Sequence, residues 1–287
     1  MFADDVKLYG RIDSETDVNF MQRQLDILCK WSKTWHLTLN PAKCTVLTLT
    51  LRRKPVIRPY SIGEVVLERV SAMRDLGVVL DEKLTFGDHI DRTVIKANRA
   101  LGLLMRSFQT GKNGRALHSF NVKAVVSTYC ATVRSILEFS SVVWNGAADS
   151  HMKRIERVQH KFLIWLCSRS GAGNVSFDYD ELLNFYGMAT LTARRKQHDI
   201  MFLRNVHCHM IKSPFLLEKL PIAVPSRLLR NWVLFCVPHA RVSTVKHGLF
   251  CRVPKACNEF LDANRDIDLW HDSLTTFKKR LIAHVRK

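Results

Sequence analysis

The sequence has no Cys-x-x-Cys pair, no long apolar run and few acids, and each shortage removes a class of protein. Its eight cysteines stand at positions 29, 44, 130, 167, 208, 236, 251 and 257. None of these spacings makes a disulfide framework, so free thiols and a reducing compartment are expected, cytoplasmic or nuclear. Apolar runs such as Phe162-Leu163-Ile164-Trp165-Leu166 are far too short to cross a bilayer, so no membrane partner is expected. The two aspartates among the first ten residues do not fit a secretory leader. No glycine-rich phosphate loop, nucleophile elbow or His-Glu-x-x-His stretch is present. His198, His207, Cys208 and His209 fall close together, but the paired cysteines of a zinc knuckle are missing. On one helix His207 and His209 would also lie about 200° apart, so zinc is not expected.

What is abundant is positive charge. The 287 residues carry 44 Lys and Arg against 26 Asp and Glu, a net +18. An excess this large and this dispersed suits a polyanionic partner, nucleic acid first. Hydrophobic residues make up 47% of the chain, enough for one large core or two modest ones.

The hydrophobic spacing divides the chain. Val6 to Tyr9 alternates like one arm of a hairpin. Phe20, Met21, Leu25, Leu28, Trp31 and Trp35 recur at helical steps and predict a core-facing helix from Asp17 to Trp35, ended before Pro41. Thr45 to Thr50 reads as a strand, Tyr60 to Val70 as a hairpin about Ile62-Gly63-Glu64, and Leu76 to Leu80 as a further strand. Past Phe86 helices take over. Ile90, Val94, Ala97, Leu101, Leu104 and Phe108 share one face, and further helices are predicted at 117–137, 149–167, 180–186 and 191–210. The proline-bearing stretch 221–254 reads as irregular. The expected architecture is α+β at the N-terminus with short antiparallel strands, then mainly α-helical, in three regions: 1–86, 87–170 and 171–287.

Several segments carry chemistry in a consistent order. Phe2-Ala3-Asp4-Asp5 sets two carboxylates on a tight turn after a small residue. Leu37-Thr38-Leu39-Asn40-Pro41-Ala42-Lys43 follows the first helix. Arg74-Asp75-Leu76-Gly77-Val78-Val79-Leu80-Asp81 comes next, with Leu84, Phe86 and His89-Ile90. Beyond these stand Val133-Arg134-Ser135, Leu137-Glu138, Trp144, Ile155-Glu156-Arg157-Val158-Gln159, and Val253-Pro254-Lys255 with Asn258. Together they resemble the reverse transcriptases of non-LTR retrotransposons, most closely the jockey-like LINE elements, from the catalytic turn onward.

The resemblance implies a partial polymerase palm over 1–86, a thumb-like region over 87–170 and a basic C-terminal region. It implies RNA-directed DNA polymerisation by two-metal chemistry, with Mg2+ on Asp4 and Asp5, RNA as template and DNA as primer. Lys43 corresponds to a lysine that can offset charge near the leaving pyrophosphate, and Leu76, Gly77 and Val78 to the hairpin gripping the primer end. The basic helices bearing Arg99, Arg106, Lys112, Lys123, Lys153, Arg154, Arg157 and Lys161 would follow a nucleic-acid backbone as a thumb does. The family needs another metal-binding aspartate and fingers ahead of the paired aspartates. This polypeptide is therefore expected to be a C-terminal fragment that does not polymerise DNA alone. The competing expectations are a non-catalytic, basic nucleic-acid-binding remnant and a helical scaffold that binds only protein.

Overall fold

A computed structural model describes residues 6–108, 121–170, 178–224 and 233–285. The chain divides into two units, Met1–Thr85 and Phe86–Lys287.

The first unit is built on helix α1 (Glu15–Thr34). Ser14 and Asp17 form a reciprocal capping box, so two orphan N–H groups at the helix start are satisfied by side chains. The expected core-facing stripe is split. Val18, Met21 and Leu25 join Tyr60, Leu67, Val46 and Ile62 in a small core, whereas Phe20, Trp31 and Trp35 are exposed. The six residues spread around too wide an arc for one thin core to cover. Gln22 fastens the helix to the strands: its amide accepts from Ser61 N (3.0 Å) and donates to Ser61 O (2.9 Å), replacing a strand neighbour.

Six short strands follow: β1 (Thr45–Leu47), β2 (Ser61–Ile62), β3 (Val65–Val66), β4 (Glu68–Val70), β5 (Ala72–Asp75) and β6 (Val78–Asp81). The β2–β3 hairpin turns at Gly63-Glu64, as expected, with Gly63 at φ 61°. Pairing is not wholly antiparallel, because β1 runs parallel to β4 with Val46 opposite Arg69. The predicted strand Leu76 to Leu80 is instead the turn and second arm of the β5–β6 hairpin, where Asp75 faces Val78 across Leu76-Gly77. Val6 to Tyr9 forms no strand among the described residues, since no partner pairs with it.

The second unit is helical: α2 (Gly87–Ser107), α3 (Val122–Tyr129), α4 (Ser135–Glu138), α5 (Ser141–Trp144), α6 (Asp149–Ser170), α7 (Tyr179–Phe185), α8 (Leu191–His207), α9 (Pro214–Lys219), α10 (Ser243–Lys246), α11 (Leu249–Ala263) and α12 (Leu274–Val285). A π-turn at Cys130–Arg134 joins α3 to α4. Ile90, Ala97, Leu101 and Leu104 are buried along α2 as their spacing predicts. Tyr129 stacks on Phe162 at 3.9 Å between ring centres, bridging α3 and α6. A second core joins Ile200 and Leu203 of α8 to Val253, Cys257 and Phe260 of α11 and Phe277 and Leu281 of α12.

The irregular stretch expected up to Pro254 ends earlier, because Pro254 lies buried inside α11. A proline there removes one ladder bond. Burial of Cys251, Val253, Ala256, Cys257 and Phe260 on the same helix offsets that loss. Asn258 repeats the device of Gln22, accepting from Phe235 N (2.9 Å) and donating to Phe235 O (2.8 Å).

Charged residues are part of this interior. Asp199 is buried and accepts from Arg252 Nε (2.8 Å), Arg252 Nη2 (3.1 Å) and Asn145 Nδ2 (2.8 Å). Arg252 also donates to Val142 O and His247 O, so one guanidinium ties α11 to α8, to α5 and to the residue that ends α10. Arg195 donates to Asn145 Oδ1 (2.9 Å) and lies over the Trp144 ring at 5.9 Å. Its Nη1 is buried with no hydrogen-bond partner among the described residues, and burial lowers its pKa. Gly146 must be glycine, because a Cβ there would lie 2.2 Å from His247 O.

Candidate functional site

The residues assigned by sequence to polymerisation divide between described and undescribed positions. Asp4 and Asp5 lie outside the described residues. Lys43 ends a 3-10 turn, Pro41–Lys43, which Asn40 caps by accepting from Ala42 N at 3.1 Å. The Asn40-Pro41 pair thus has a local role: Asn at the cap and Pro at the first helical position both suit a helix start. Lys43 is exposed, and among the described residues its side chain makes no hydrogen bond or ion pair.

The β5–β6 turn holds one of the first unit's left-handed non-glycine residues among those described, the others being His36 (φ 53°) and Leu84 (φ 52°). Leu76 has φ 43° and Gly77 φ 90°, matching the two central positions of a type I′ turn. Asparagine or glycine suits the first position. A leucine there carries the left-handed Cβ clash, of order 1–2 kcal/mol. Its side chain is also 51% exposed, so burial does not compensate. Next to it Val78 and Val79 are buried and anchor the second arm. A strained, exposed apolar side chain on an anchored hairpin is what a contact surface needs and what stability alone disfavours.

Asp75, immediately before the turn, forms an ion pair with Lys7. Lys7 stands two residues after Asp5 in the sequence, so the segment leaving the paired aspartates is held at the shoulder of the Leu76-Gly77 turn. Sequence reasoning did not find this pair, because 67 residues intervene and neither side chain is distinctive alone. The last residue of the motif, Asp81, serves the backbone: its carboxylate accepts from Lys83 N, Thr85 N and Thr85 Oγ1, each at 3.0 Å. Leu76, Gly77 and Val78 are thus brought together with Asp75 and Lys7. No described contact joins Lys43 to them.

Most motif residues beyond Phe86 serve the interior, while Ser135, Arg157 and Lys255 are exposed. Glu138 is ion-paired to Arg194, and Asn258 closes on Phe235. Glu156 accepts from Leu191 N (2.7 Å) and Thr192 N (3.3 Å) at the start of α8, where a carboxylate is favoured by the helix dipole. Gln159 bonds the hydroxyls of Tyr129 and Tyr179, and burial raises the pKa of both. His198 shares a hydrogen bond with Ser141 Oγ at 3.0 Å, and burial lowers its pKa. Among the described residues no group of three or more His, Cys, Asp or Glu gathers to hold a metal ion. No described helix is long and apolar enough to cross a membrane.

No protein-family model matches the chain, and no solved structure matches it. Curated proteins do. The chain is 29% identical over 162 residues to the probable RNA-directed DNA polymerase from transposon BS of Drosophila melanogaster. It is 30% identical over 163 residues to the corresponding protein of transposon X-element of the same species. Over part of its length the chain is similar to transposon RNA-directed DNA polymerases. A further relative is the RNA-directed DNA polymerase from mobile element jockey of Drosophila funebris, 27% identical over 172 residues. Each match covers 56% of this chain and 17% of the relative, so the likeness concerns a small part of a much longer protein. These relatives are jockey-like and other Drosophila non-LTR retrotransposon polymerases, the broader group that the ordered motifs resemble.

Proposed function

We propose that this chain works as part of the RNA-directed DNA polymerase of a non-LTR retrotransposon, its first unit contributing to the palm and its second forming the thumb and following helical region. The observation that carries the reading is the Leu76-Gly77 turn, a strained and exposed leucine held beside the segment that follows Asp4 and Asp5. In this reading Leu76 packs on the sugar of the primer terminus and Gly77 admits the backbone to close approach. Val78 holds the turn from below. Lys43 offsets charge near the departing pyrophosphate. Asp4 and Asp5 are hard oxygen donors of the kind Mg2+ takes. The ion would supply activation of the primer hydroxyl and charge neutralisation at the triphosphate. RNA template and DNA primer are the partners.

The test replaces the matched stretch of a jockey polymerase with this chain and follows primer extension on an RNA template. Extension by the chimaera, lost in Asp4→Ala, is the expected result. A chimaera that binds template and primer yet extends equally well with Asp4→Ala would refute the assignment of the paired aspartates.

A second reading, a basic nucleic-acid-binding body without catalysis, is favoured by α6, whose basic residues outnumber its acids. It predicts salt-sensitive binding that survives loss of both aspartates.

A further inference from the structure

Helix α1 is apolar on two sides, and the core of the first unit covers one of them. Val18, Met21 and Leu25 face that core with Tyr60 and Leu67. On the opposite side Phe20 (55% exposed), Ile27 (57%) and Trp31 (39%) stand in water, with Trp35 at the helix end. A helix that is apolar all round is built to lie between two layers. The outer side of α1 is left open.

The outer residues keep a coiled-coil spacing. Phe20, Gln24, Ile27 and Trp31 follow one another at steps of four, three and four, which places them at d, a, d and a of a heptad and so in one seam. The seam runs along most of a helix about 30 Å long. Gln24 is a polar residue at an a position, the kind that fixes register. Arg23 and Lys30 occupy g positions beside the seam, both exposed, and among the described residues neither has an ion-pair partner. Asp26 lies farther round the helix and accepts from Gln22 Nε2 at 3.0 Å. The e positions on the other side hold Met21, Leu28 and Trp35, all uncharged.

The flanking charges select the partner. Two copies of α1 packed antiparallel would set g against g, so that Arg23 and Lys30 meet the same cations of the second copy. Packed in parallel, each cation would meet the uncharged e side. A second copy therefore matches the seam but not its charge. A helix with a plain apolar stripe would fill the seam and leave both cations unmatched. An apolar stripe flanked by Asp or Glu satisfies seam and cations together, and buried aromatic and arginine anchors carry most of the energy of such interfaces.

We propose that the outer seam of α1 is a docking surface for a partner helix whose apolar stripe is flanked by acidic residues, with Phe20, Ile27 and Trp31 as anchors and Arg23 and Lys30 as the charge match. The surface lies outside the polymerase reading. It needs neither metal nor primer, and it stands whether or not Asp4 and Asp5 catalyse. Three turns of contact bury less than a stable interface does, so the complex is transient, with a Kd on the order of 10 μM.

The experiment titrates the full chain into a labelled helical peptide of about three heptads, with Leu at a and d and Glu at e and g, and follows anisotropy. The controls are the same peptide with Lys in place of Glu and a scrambled sequence of the acidic peptide. The acidic peptide should bind, and each control should bind at least about tenfold more weakly. Ile27→Ser should weaken the acidic peptide by about tenfold, and Arg23→Glu with Lys30→Glu should shift the preference toward the Lys peptide by about as much. All three positions are exposed, so these variants keep the fold, and circular dichroism checks each. Equal binding of the scrambled peptide would overturn the proposal, because the net charge of +18 would then account for the binding. So would unchanged affinity in Ile27→Ser, or a dimer of the wild-type chain in sedimentation that Ile27→Ser dissociates. A single strand of about 12 nucleotides that displaces the acidic peptide and loses affinity in Ile27→Ser would overturn it as well.

Discussion

The two units differ most in what their charged and strained residues do. In the second, ionisable side chains are drawn into the interior and matched: Asp199 with Arg252 and Asn145, Glu138 with Arg194, Glu156 with the start of α8. In the first, the core gathers around Val18, Tyr60 and Leu67, while Tyr9 (92% exposed), Trp35 (65%) and the strained Leu76 lie at the surface. The difference teaches where to look for each role. Motif residues of the second unit such as Glu138 and Glu156 bond within the fold, whereas Leu76 of the first stands exposed on left-handed backbone.

Removing Asp199 should break that pattern most severely. Asp199→Ala leaves the half-buried Arg252 without its carboxylate and Asn145 without an acceptor, an expected loss of about 3–5 kcal/mol in chemical denaturation. A loss under about 1 kcal/mol would mean that the interior network does not stabilise the unit. Gly146→Ala comes next. Its Cβ meets the His247 backbone rather than a movable side chain, so about 1–3 kcal/mol is expected by the same measurement.

How much of this could be read beforehand depended on distance along the chain. Helix α2 was legible because Ile90, Ala97, Leu101 and Leu104 announce their face within a few turns. The β2–β3 hairpin was legible from Gly63. Pro254 misled, because a local rule about proline yielded to burial on both sides of it. The α1 stripe misled because periodicity shows that a face is apolar without showing what covers it. The network of Asn145, Arg195, Asp199 and Arg252 was invisible, since its members lie up to about a hundred residues apart and each reads alone as a surface residue. In the candidate site the Leu76-Gly77-Val78 motif could be found by resemblance. Its strained geometry and the Lys7–Asp75 tie could not, because both arise from pairing across the hairpin and the unit.

The first unit offers the opposite result to a core mutation. Leu76→Asn places a residue tolerant of left-handed backbone at φ 43°, and should raise stability by about 1 kcal/mol. A stabilising change at a motif position is the signature of strain kept for contact. Protonation sharpens the contrast from the other side. Burial lowers the pKa of His89, His198 and His207, all in the second unit. As pH falls below the unfolded value of 6.5, the unfolded chain takes up protons that the folded unit resists. Thermal melts should therefore show a falling Tm between about pH 7 and pH 5. The fall should diminish when His198 is replaced by Gln.

Primer extension by the jockey chimaera carrying Leu76→Asn tests the central claim most directly. The account predicts a more stable hairpin together with weaker extension, seen as a raised KM for primer–template. Wild-type extension by that stabilised variant would contradict it.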